Sequence, residues 1–71
     1  MHRKALEISE KLGKLEGMAS DYVNLGVLLH IRGDLKGARA LWIRSRDIYT
    51  QMGVTHMAEM VGKWIDGLGE E

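Results

Sequence analysis

Three histidines, His2, His30 and His56, are the best metal donors in this chain, and His56 stands three residues from Glu59 on one helical face. A structural zinc site takes four nitrogen or sulfur donors. Neither His2 nor His30 has ligand spacing to that pair, and there is no cysteine to complete a set. The histidines therefore read as surface or groove residues, and no metal is expected. A second group is basic: Arg32, Lys36, Arg39, Arg44 and Arg46 concentrate positive charge in mid-chain. A nucleic-acid surface would interleave such charges with aromatic stacking platforms. Here they are not interleaved, and Asp47 adjoins Arg46, so the group reads as a solvated face and no nucleic-acid partner is expected. Gly13, Gly33 and Gly53 are spread apart rather than clustered to cradle a phosphate. There is no serine nucleophile elbow and no carboxylate pair set among apolar residues. No catalytic residue and no cofactor are assigned, and the chain is not expected to be an enzyme.

What remains is binding, and composition bounds it. A length of 71 residues allows one domain, burying about 60–65% of its unfolded surface. Ten basic residues balance ten acidic ones, so no general field draws the chain to nucleic acid or an anionic membrane. Apolar runs such as Val27 to Leu29 and Ala40 to Ile43 are far short of a membrane span. The first residues, MHRKALEISEK, scatter charge and have no apolar centre, unlike a signal peptide. A reducing cytoplasm is the expected location, and the absence of cysteine excludes a disulfide framework.

Helical periodicity recurs four times. Ala5, Ile8 and Leu12 mark a first face, with Gly13 after them as a stop. Tyr22, Leu25, Gly26 and Leu29 mark a second, closed by Gly33. Leu35, Ala38, Leu41/Trp42, Ser45, Ile48/Tyr49 and Met52 mark a third, closed by Gly53; Met57/Ala58, Val61, Trp64/Ile65 and Leu68 mark a fourth. Asp34 is suited to cap the third helix and Thr55 the fourth, since short oxygen-bearing side chains accept from exposed first-turn amides. No segment alternates with period two. The expectation is an all-α fold of four helices, about 3–12, 18–32, 35–52 and 56–68. Glycine at position 26 and alanine at 38 are small, and the expected reason is close backbone approach, with Tyr22, Leu25, Leu29 and Trp42 filling the space around them.

Shifting the chain by forty residues lays Glu7, Ile8, Leu12 and Gly13 over Asp47, Ile48, Met52 and Gly53. The pattern Tyr22-x2-Leu25-Gly26-x2-Leu29 followed by Ala38-x3-Trp42 resembles the tetratricopeptide repeat. The forty-residue spacing and the phrases LEGMASDYVNLG and RGDLKGARALW look like the longer repeats of kinesin-light-chain-type arrays. Two positions depart from the family pattern: Leu29 stands where an aromatic is common, and Thr50 lies near a frequent proline. The resemblance implies antiparallel hairpins stacked as a short α–α superhelix. It divides the chain into a half repeat at 1–16, a full repeat at 17–54 and a closing cap helix at 55–71. Because about three repeats are usually needed for stability, it also implies a C-terminal piece of a longer array or pairing with another copy.

In such arrays the first helix of each repeat lines a concave groove. The resemblance therefore places Ser20, Val23, Asn24, Val27 and His30, with Met60 and Lys63 from the last helix, on a ligand-facing surface. An asparagine amide can bond both N–H and C=O of an extended peptide, and the valines would add apolar contact. A clamp for a peptide carboxyl terminus would need several groove cations, but Lys63 is the one candidate, beside Met60 and Trp64. The implied function is a non-enzymatic scaffold binding a peptide or partner helix between the second and fourth helices. The alternative is a structural cap or self-association segment with no external ligand.

Overall fold

The computed structural model describes residues 2–69 of the chain, with side chains placed at 11 and 13–68. It contains three helices: α1 His2–Arg32, α2 Leu35–Met52 and α3 Thr55–Gly69. The all-α expectation holds, and the described residues contain no strand. The expected four helices do not: the segments at 3–12 and 18–32 are parts of one helix.

The correction at Gly13 has a physical cause. A glycine ends a helix when it takes the left-handed conformation and something beyond it starts the next element. Among the described residues only Gly33 (φ 87°) and Gly53 (φ 77°) have positive φ. Gly13 is followed by Lys14, Leu15 and Glu16, all strong helix formers, and no Ser, Thr, Asp or Asn stands between Gly13 and Gly17. Each interior glycine costs about 1 kcal/mol relative to alanine, and neither finds a capping partner that would make stopping cheaper.

The two real turns are built alike. Gly33 N–H donates to the His30 carbonyl (3.0 Å) and Asp34 N–H to that of Leu29 (2.8 Å). Twenty residues on, Gly53 N–H donates to Thr50 (3.1 Å) and Val54 N–H to Tyr49 (2.9 Å). Both are Schellman endings, which satisfy carbonyls that a helix terminus leaves bare. Asp34 then caps α2 as expected, its carboxylate accepting from Gly37 N–H at 3.0 Å. The cap of α3 differs from expectation. Thr55 is its first helical residue, and the preceding Val54 supplies the carbonyl that accepts from Ala58 N–H at 3.1 Å.

With connections this short, neighbouring helices must run antiparallel, and α2 packs against α1 on one side and α3 on the other. Ala19, Trp42, Tyr49, Val61 and Ile65 form the buried core, with Val23, Ile43, Met57, Ala58 and Leu68 packed around it. Two bonds tie α2 to the backbone of α1. Ser45, fully buried, donates Oγ to the Ala19 carbonyl at 2.8 Å, and Trp42 donates Nε1 to that of Val23 at 3.2 Å. A 31-residue α1 opposite an 18-residue α2 extends beyond the hairpin. Hence the 51 × 20 × 12 Å extents and a radius of gyration of 13.9 Å, against about 11 Å for a compact chain of this length.

Candidate functional site

Trp42 organises the region between α1 and α3. Its indole lies flat enough on α1 that a Cβ at Gly26 would collide with Nε1 and stand 2.5 Å from Cδ1. What Gly26 admits is therefore the Trp42 ring and not, as expected, the methyl of Ala38, which is itself fully buried. From there the ring contacts two others: His30 at a centroid distance of 5.8 Å and Trp64 at 5.5 Å, both tilted. Such tilted pairs suit the aromatic quadrupole and add about 0.5–1.5 kcal/mol each beyond area burial. His30, Trp42 and Trp64 thus line up from α1 across α2 to α3, with Trp42 buried and Trp64 36% exposed.

The residues expected on a ligand-facing surface divide around this row. Val23 is half-buried, packs on the core and supplies the carbonyl bonded by Trp42. His30 is exposed but lies beside the Trp42 ring. Val27 is exposed, as are Ser20 and Asn24. On α3, Met60 is half-buried and Lys63 exposed, flanking Val61 and Trp64. The structure thus brings Val23 and His30 to the aromatic row. Ser20 and Asn24, at 100° per residue, lie well round α1 from Gly26.

The residues expected to pack also divide. Gly26, Ala38 and Trp42 are buried, Tyr22 and Leu29 half-buried, and Leu25 is exposed. The inward stripe of α1 is Ala19, Val23 and Gly26 rather than Tyr22, Leu25, Gly26 and Leu29, a rotation of roughly 80° about the helix axis. Bulk explains it: α2 presents Trp42 and Tyr49 to α1, so α1 must turn its smallest residues inward to be filled. Sequence reasoning missed Ala19 and the Ser45 hydroxyl. The usable signal was the seven-residue interval from Ala19 to Gly26, two turns on one face.

The rotation leaves large apolar side chains outside. Met18, Leu25, Val27, Leu28, Ile31 and Trp64 are all exposed, Ile31 to 75%. Two shallow depressions lie on the outer side of the α1–α2 hairpin. One, about 320 Å³, is lined by Leu25, Leu28, Leu29, Arg32 and Leu41; the other, about 240 Å³, by Met18, Tyr22, Arg44, Asp47 and Ile48. His56 and Glu59 are exposed on α3, and among the described residues no three His, Cys, Asp or Glu side chains gather as a metal site. No described helix is long and apolar enough to cross a membrane. Comparison with protein-family models, with curated proteins and with solved structures gives no match for this chain.

Proposed function

We propose that this chain is a non-enzymatic protein-interaction module, a tetratricopeptide-like pair of hairpins sharing α2, acting in the cytoplasm. The observation that carries the reading is an imbalance. Among the described residues six large apolar side chains stand exposed, while the buried apolar set is Ala19, Ala38, Trp42, Tyr49, Val61 and Ile65, two of them alanines. Large apolar side chains left exposed on a face mark an interaction site, and two of the six, Val27 on α1 and Trp64 on α3, belong to the elements that flank the aromatic row. The close fit of Gly26 under Trp42 supports the tetratricopeptide-like part, since these are two of the six residues that carry the sequence resemblance.

On this reading the ligand is a peptide or partner helix laid along the groove between α1 and α3. Val27, His30 and Trp64 would supply contact, with Met60 and Lys63 beside them. Catalysis has no part in it. Ser45 is the one buried polar side chain among the described residues, and its hydroxyl is already committed to Ala19. The second reading, a cap or self-association segment, is favoured by the exposed Met18, Leu25 and Leu28 on the opposite side. Sedimentation velocity over a range of concentrations, together with NMR titration against a peptide library, separates them. A monomer whose Trp64 indole and Val27 methyl signals move on peptide addition supports the groove. A monomer with no peptide response at these positions, or an assembly that buries them, refutes it.

A further inference from the structure

We draw no further inference here: the strongest candidate, the apolar surface patch on the outer side of the α1–α2 hairpin lined by Leu25, Leu28, Leu29 and Leu41, carries nothing, because acids and bases share its surroundings and nothing in the structure shows what covers it.

Discussion

Replacing single glycines by alanine tests the continuity of α1 and the seat of Trp42 with the same substitution. At Gly13 and Gly17 an added Cβ would meet no heavy atom within 4 Å, and neither residue has positive φ. In a helix interior the change should therefore stabilise by about 1 kcal/mol at each. If α1 instead broke at Gly13 with a left-handed residue, alanine there would cost about 1–2 kcal/mol. The two structures differ in sign and by about 2–3 kcal/mol in total. At Gly26 the same methyl lands 2.5 Å from Trp42 Cδ1 and closer still to Nε1. The indole is rigid, and its Nε1 is held by the Val23 carbonyl at 3.2 Å. Overpacking costs about 1–3 kcal/mol and a strained hydrogen bond about 0.5–1.5 kcal/mol. Against a propensity gain of about 1 kcal/mol, Gly26→Ala should be net destabilising by about 0.5–3.5 kcal/mol. Urea unfolding followed at 222 nm reads all of these. With a slope of about 1 kcal/mol per molar urea, the midpoint should rise by about 1 M for Gly17→Ala and fall by about 0.5–3.5 M for Gly26→Ala. Gly13→Ala should raise the helical signal before unfolding. A loss at Gly13 matching that of Gly33→Ala would restore two separate helices, and a neutral Gly26→Ala would remove Trp42 from its assigned seat.

Other expectations concern the turn and the interhelical bonds. Asp34→Ala removes the acceptor for Gly37 N–H and should lower stability by about 0.5–2 kcal/mol, read as a shift in thermal midpoint. Ser45→Ala deletes the donor to the Ala19 carbonyl and should cost about 1 kcal/mol by urea unfolding. A loss near zero would mean that bond contributes nothing. Trp42→Ala vacates the centre of the core and should cost about 3–5 kcal/mol, enough to leave the far-UV spectrum visibly less helical at 37 °C. Arg46→Ala, which breaks an exposed 3.9 Å ion pair, should change the midpoint by no more than the 0–1 kcal/mol typical of surface pairs.

The helix ends were legible where two signals coincide. Gly33 is followed by Asp34, whose carboxylate takes a first-turn amide, so stop and start reinforce each other. Gly53 has no such acid after it, yet the Val54 N–H completes the same ending, and Val54 also packs on the core. Gly13 has neither a capping side chain nor a buried neighbour after it, and the backbone runs straight through. Glycine alone was therefore a poor marker, because its freedom permits a stop without favouring one. The forty-residue shift contributed to the error, since it paired Gly13 with Gly53 on identity while the residues following each differ in kind.

The same limit governs the functional face. A stripe chosen by hydrophobicity put Tyr22, Leu25 and Leu29 inward, because leucine gains more from burial than alanine does. Packing is a joint property of two surfaces, and the partner here is an indole that needs depth. Leucine at 25 would hold α2 too far out for Ser45 to reach the Ala19 carbonyl and for Trp42 to reach that of Val23. Two hydrogen bonds and a filled interface together outweigh the burial of one or two leucines, so α1 turns and the leucines go to the surface. The exposed apolar face and the buried aromatic seat thus have one cause. A substitution that shrinks Trp42 should loosen the hairpin and, by relaxing the demand for small residues, reduce the exposure of Leu25. Faster hydrogen exchange at the α1 amides from Ala19 to Gly26 in Trp42→Leu would report the loosening. Slower quenching of a probe bound over Leu25 would report the rotation. If the first occurred without the second, the two faces would be independent.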